Sequence, residues 1–295
     1  MKHPHPLLSG LTWICLASSA DAAVLFFDDF STSGQSNDVN FEYSSGRQSG
    51  TLGSIQYLQG NGSNFAIAGA LADEAVNGVR TQVSSGSAPG TLWLAGTVST
   101  TASVSLDHNF TENAGVGGYT SISFTVDPVT ASLGVGDNWA AITLGAGDNA
   151  SYGSSGSGAR GQFVNNTGTH FGILFRDNGE YQAFDGSSFV GGDTYDETPE
   201  ENAIHSVEIR ITGLVDGNAW DGAGDAQIDV YVDGETSPFF TYTKTGGYTD
   251  NFITLESYGD NSQFDDFQVS VVPEPSVALL GGLGLLGLMR RHRSA

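Results

Sequence analysis

Apolar and polar residues alternate in short runs along almost the whole chain, and each run ends in a cluster of Gly, Asn, Asp or Ser. A period of two marks strands with one buried face, and such clusters supply the positive-φ and Asx-turn conformations that close hairpins. The runs fall at 24–30, 51–58, 91–98, 119–126, 139–144, 171–184, 205–212, 226–232, 239–243, 252–256 and 264–271. Only the stretch 66–75, with its Ala, Leu and Glu, comes near a 3.6-residue period. Glycine, at 41 of 295 residues, is about twice its usual ~7% share and opposes helix interiors. Many short strands at regular spacing form a β-sandwich or barrel, and such folds use up to ~250 residues as one unit. Residues 23–272 therefore read as one all-β domain, with the glycine-dense stretch 145–161 as its longest loop.

One hairpin can be read in register. Phe171–Asp177 is followed by Asn178-Gly179 and then by 180–184. Asn-Gly favours a two-residue type I′ turn. That turn sets Asp177 opposite Glu180, Arg176 opposite Tyr181, Leu174 opposite Ala183 and Ile173 opposite Phe184. Ile173, Phe175 and Phe184 then face the core, and Leu174, Arg176, Tyr181 and Ala183 face away. The same parity turns Ile142, Leu144, Leu92 and Leu94 inward, and Trp139, Thr143 and Trp93 outward. Aromatic rings on an exposed sheet face stack on sugars while polar neighbours orient them. Trp93, Trp139, Tyr181 and Arg176 are the candidate glycan-binding residues. The alternative is that loops such as 145–161 cover these rings and extend the core.

Both ends read as signals outside the domain. Residues 1–22 have a basic start at Lys2, a short apolar stretch and an A-x-A site ending at Ala22-Ala23, the pattern of a secretory signal peptide. The sole cysteine, Cys15, lies within it, so the mature chain is expected to have no disulfide. At the other end, Pro273-Glu274-Pro275 precedes an apolar run over 276–289 and the basic residues Arg290, Arg291 and Arg293. As a helix that run spans about 21 Å, short for a ~30 Å hydrocarbon core, with the arginines on the cytoplasmic side. Removing 1–22 and 273–295 takes away four of 10 basic and two of 33 acidic residues, leaving a body near −25. Such a charge repels acidic polymers and excludes a nucleic-acid partner.

The order of Pro-Glu-Pro, short Gly/Leu-rich helix and basic cluster resembles the PEP-CTERM sorting signal. That resemblance implies export in a Gram-negative-type bacterium, transient anchoring in the inner membrane, recognition by an exosortase, and association with exopolysaccharide or biofilm. A second resemblance rests on an echo between the ends. Phe26-Phe27-Asp28-Asp29-Phe30 returns as Phe264-Asp265-Asp266-Phe267, and three strand-like runs with a Tyr231–Gly234 hairpin fill 204–258. Over about 204–272 the chain is similar to the concanavalin A-like lectin/glucanase jelly roll, which includes laminin-G-like modules. The resemblance implies that the first and last strands pair.

It also implies a structural calcium where Asp28 and Asp29 meet Asp265 and Asp266. A second acidic run, Asp216, Asn218, Asp221 and Asp225, has oxygen donors spaced as in a calcium loop but lacks the EF-hand register. For both, the alternative is solvated turn chemistry. Glucanases of the superfamily carry a Glu-x-Asp-x-x-Glu array, and no strand here has one. His108, His170 and His205 lack metal-ligand spacing. The chain is therefore expected to be non-enzymatic. Three functions follow: a surface or matrix protein contacting polysaccharide, an adhesive protein without a small ligand, or a divergent hydrolase or lyase using a sheet carboxylate such as Glu208 or Asp229.

Overall fold

The computed structural model describes residues 22–30, 47–59, 78–82, 91–95, 101–113, 118–128, 138–146, 164, 170–200, 203–214, 224–246, 252–258 and 262–273. The expected signal peptide over 1–22 lies outside the described residues except for Ala22, and so do the stretch 66–75, most of 145–161 and the tail from Glu274 onward. In chain order the strands are β1 Ala23–Asp28, β2 Gln48–Ser49, β3 Tyr57–Gln59, β4 Gly78–Gln82, β5 Thr91–Ala95, β6 Thr101–Leu106, β7 Tyr119–Asp127 and β8 Trp139–Ala146. They continue as β9 Phe171–Arg176, β10 Glu180–Asp185, β11 Ser188–Thr194, β12 His205–Gly213, β13 Ala226–Val232, β14 Phe240–Lys244, β15 Phe252–Tyr258 and β16 Ser262–Val272. Two antiparallel sheets face each other as a jelly-roll sandwich. Sheet A runs β14-β13-β12-β7-β16-β1-β2, with β5 joined to β16 and β4 to β5; sheet B runs β11-β10-β9-β8-β15-β6-β3.

The period-two pattern builds the core directly. Val207, Ile209 and Ile211 on β12 and Ile228, Val230 and Val232 on β13 point inward from sheet A. Ile142, Leu144, Ile173, Phe175, Ile253 and Leu255 meet them from sheet B. Each fully buried side chain of this kind contributes about 1.5–3 kcal/mol. The echoed ends do pair: β1 lies antiparallel to β16, with Phe27 opposite Gln268 and Asp28 opposite Phe267. After β13, Asp233 and Gly234 both adopt positive φ (52° and 72°) while Glu235 N–H donates to the Val232 carbonyl, a type I′ turn.

The Asn178-Gly179 hairpin departs from the expected register. Tyr181 pairs with Phe175, Gln182 with Leu174, Ala183 with Ile173 and Phe184 with Gly172. The loop holds three residues, Asp177 to Gly179. Gly179 alone takes positive φ (82°), and its N–H donates to the Arg176 carbonyl. One extra loop residue slides the second strand by one and exchanges its faces. Tyr181 and Ala183 therefore enter the core, and Phe184 leaves it for the outer face of sheet B. Four strands escaped the sequence reading: β2, only two residues long; β4; β6, whose Ser and Thr hide a Val104/Leu106 alternation; and β11, which carries two glycines.

Candidate functional site

The acidic ends come together around a buried carboxylate, Asp28. Asp28 is fully buried, and Arg47 Nε lies 2.9 Å from its Oδ1. The second Arg47 nitrogen, the Gln48 amide and the Tyr57 hydroxyl all donate to its Oδ2, at 3.1, 2.9 and 3.0 Å. The Phe30 N–H donates to Oδ1 at 2.8 Å. A guanidinium already engages Asp28, so this carboxylate is not open to the calcium that the jelly-roll resemblance implies. Among the described residues no group of three or more His, Cys, Asp or Glu is arranged to hold a metal. Asp225 accepts from the Gly246 N–H at 3.0 Å, which is turn chemistry, while Asp216, Asn218 and Asp221 lie outside the described residues.

Asp265 keeps the imprint of the meeting. Burial first, and then the charges of Asp266, Asp29 and Asp28, push its carboxyl up to about 7 against a lowering backbone hydrogen bond from Asp266. The folded state thus binds this proton more tightly than the unfolded chain does. Its stabilising contribution is full below the unfolded value near 3.8 and is lost as pH rises to about 7. Asp265→Asn is expected to raise the melting temperature at pH 8 by roughly 2–4 °C and to leave it unchanged at pH 4. Thermal unfolding at both pH values checks this. Destabilisation by the variant at pH 8 would mean that a cation or a further donor holds the ionised carboxylate.

The expected glycan face is covered. Trp139 points to the outer side of sheet B as its parity requires, yet it is only 1% exposed and packs with Ala141, Val164, Leu174 and Tyr258. Its indole stacks on Tyr258 with ring centres 5.7 Å apart and planes 15° from parallel. Thr143, Thr254 and Glu256 on the same face are fully buried too. Tyr181 is removed from the site by the hairpin register, its ring held edge-on against Phe239 and Phe240 at 4.8 and 5.6 Å. Arg176 does face outward and donates to Gln182 Oε1 at 3.1 Å. Trp93 lies on β5 between Gln263 and Arg80, and its side chain is outside the described residues.

An open polar trough lies on the other sheet. A row across four strands reads Tyr231, Glu208, Ser123, Gln268, and the next reads Asp229, Arg210, Ser121, Ser270. All face away from the core, because their neighbours Val207, Ile209, Ile122 and Val269 fill it. Short hydroxyl side chains on β7 between long ones on β12 and β16 leave a trough of about 490 Å³. Arg210 lies between Tyr231 and Tyr119, 4.2 and 5.3 Å from their ring centres, and donates to Glu208 Oε2 at 2.7 Å. Ser121 donates to Glu208 Oε1 at 2.7 Å.

Burial pushes the Glu208 carboxyl up, but the hydrogen bonds from Arg210 and Ser121 outweigh it and hold the group below the usual carboxylate range. A glycosidase acid needs the opposite shift. Asp229 is likewise engaged, by Gln227 and Thr241, each at 2.7 Å. Glu208 is therefore set to accept hydrogen bonds as a carboxylate rather than to act as an acid. Arg210 did not stand out in the sequence and Tyr231 did so only as the start of a hairpin; the available signal was the hydroxyl alternation Ser121-x-Ser123-x-Thr125 beside Glu208-x-Arg210.

Residues 271–294 match the PEP-CTERM protein-sorting motif, so the chain carries that motif at its C-terminus. Solved structures of similar fold include the carbohydrate recognition domain of Emp47p. It is 12% identical, over 84% of this chain and 94% of that one, with a TM-score of 0.45. The metal-free carbohydrate recognition domain of Emp46p is 13% identical, over 66% and 85%, with a TM-score of 0.44. The exoplasmic/lumenal domain of VIP36, in its Ca2+/Man3GlcNAc-bound form, is 10% identical, over 62% and 81%, with a TM-score of 0.37. No curated protein matches the chain.

Proposed function

We propose that this chain is an exported protein of a Gram-negative-type bacterium, delivered by an exosortase to the cell surface or matrix, where its sandwich contacts extracellular polysaccharide without turning it over. The sorting motif over 271–294 carries the reading. It begins on the last two residues of β16, so Pro273 and Pro275, which cannot continue a strand, fall where the sheet ends. Cleavage of the tail within or beyond this motif would leave the sandwich whole. The polysaccharide contact is supported by an open polar trough walled by Tyr231 and by the low carboxyl of Glu208.

In the producing bacterium, the wild-type chain is expected on the surface or in the matrix, shorter than its precursor by the tail. A variant with Pro273, Glu274 and Pro275 replaced by alanine, or a strain without exosortase, should retain the full-length form in the inner membrane. Mass analysis of fractionated cells reads both. A wild-type chain that stays full length in the inner membrane of exosortase-positive cells would overturn the sorting reading. For the contact, the chain should co-sediment with the producer's own exopolysaccharide and leave its chain length unchanged.

A further inference from the structure

We infer that the trough on the outer face of sheet A is a polysaccharide subsite selective for chains without carboxylate or sulfate groups, that is, for neutral or amino-sugar polymers. This rests on the polysaccharide contact proposed above and adds its location and the class of chain it takes. The floor, Ser121 to Thr125, is about 14 Å long at ~3.4 Å per strand residue, enough for a short run of sugar rings laid along β7. Hydroxyls line it, the Arg210–Glu208 pair stands on one side and Gln268 on the other. Adjacent sugar hydroxyls are well matched by planar side chains that can engage two groups at once.

These groups are held in advance of binding. Two tyrosine rings clamp Arg210, both oxygens of Glu208 are engaged, and the Gln268 amide donates to Ser270 at 2.9 Å. Little side-chain entropy remains to be lost when a chain settles.

Charge sets the selectivity. Glu208, Glu235 and Asp266 line the trough against the single cation Arg210, whose guanidinium already serves Glu208. A uronate or sulfate laid on β7 would face this negative lining inside a body near −25, and like-charge juxtaposition is strongly unfavourable. Neutral hydroxyls meet no such penalty, and an ammonium group gains from it.

The test is calorimetric titration of the full chain, purified in mild detergent, with three hexasaccharides: cellohexaose, a chitosan hexamer and oligogalacturonate. The chitosan hexamer or cellohexaose is expected to bind, with oligogalacturonate at least tenfold weaker. Ser123→Gln, which fills the floor at a half-exposed position, should weaken binding at least tenfold with an unchanged melting temperature. Binding of oligogalacturonate as tight as the others, or no binding of either favoured hexamer, overturns the selectivity. Co-sedimentation of the Ser123→Gln chain with the native exopolysaccharide as strongly as wild type overturns the location while leaving polysaccharide contact standing. If wild type itself does not co-sediment, the polysaccharide reading falls and this inference with it.

Discussion

Replacing Asp28 with alanine is expected to destabilise the sandwich by about 3–5 kcal/mol, because it strands the buried charge of Arg47. The side chains are 0% and 1% exposed, so water cannot compensate. The loss extends beyond one pair. Gln48 opens β2 of sheet A with Arg47 just before it, Tyr57 belongs to β3 of sheet B, and Asp28 ends β1, so one carboxylate ties both sheets to the first strand. Gln48 is held in turn by accepting from the Ile55 N–H at 2.8 Å. At 2–4 °C per kcal/mol for a domain of this size, the melting temperature should fall by roughly 6–20 °C. The double variant Asp28→Leu/Arg47→Met should recover much of this, since an apolar pair leaves no charge unpaired. Urea unfolding of the three chains decides it. A single variant within 1 kcal/mol of wild type would mean that the carboxylate does not join the two sheets. Calcium should not protect the wild type, because Arg47 already occupies the carboxylate.

What could be read from the chain alone divides along a physical line. Period-two alternation located β12, β13, β7 and β16 and turned Ile142, Leu144, Leu92 and Leu94 inward, because burial of one face is a local property of the pattern. The pairing of β1 with β16 came from the jelly-roll resemblance, which the Phe-Asp-Asp-Phe echo helped to suggest. Register failed at Asn178-Gly179, where one added loop residue decides which side of β10 is buried and no local signal counts loop residues. Asp28 looked like a metal ligand because carboxylates near each other suggest a cation, and the cation that engages Asp28 itself, Arg47, lies 19 residues on. The trough is non-local in a stronger sense. Its lining comes from β13, β12, β7 and β16, adjacent in the sheet but spread from Ser121 to Gln268 in the chain. Hydroxyls alternating on one strand and an alternating acid–base pair on another were each legible; that they lie side by side was not.

Trp139→Ala is expected to cost about 3–5 kcal/mol of stability while leaving polysaccharide affinity intact. On the outer side of sheet B the indole sits opposite Tyr258 on β15 and Arg176 on β9, so it bridges three strands. Removing it opens a large void beneath Leu174 and Val164 and discards the stacked contact with Tyr258. Trp139→Phe should lose less, since a ring remains in the stack. A ligand-stacking tryptophan behaves in the opposite way: its loss weakens binding and barely moves the melting temperature. The two roles therefore separate in one pair of measurements, thermal unfolding and co-sedimentation with exopolysaccharide at a temperature where the variant is fully folded. Because the trough lies on the other sheet, across the core from Trp139, binding should match wild type under that condition. A folded Trp139→Ala chain with weakened binding and an unchanged melting temperature would return the tryptophan to the glycan site and count against the trough.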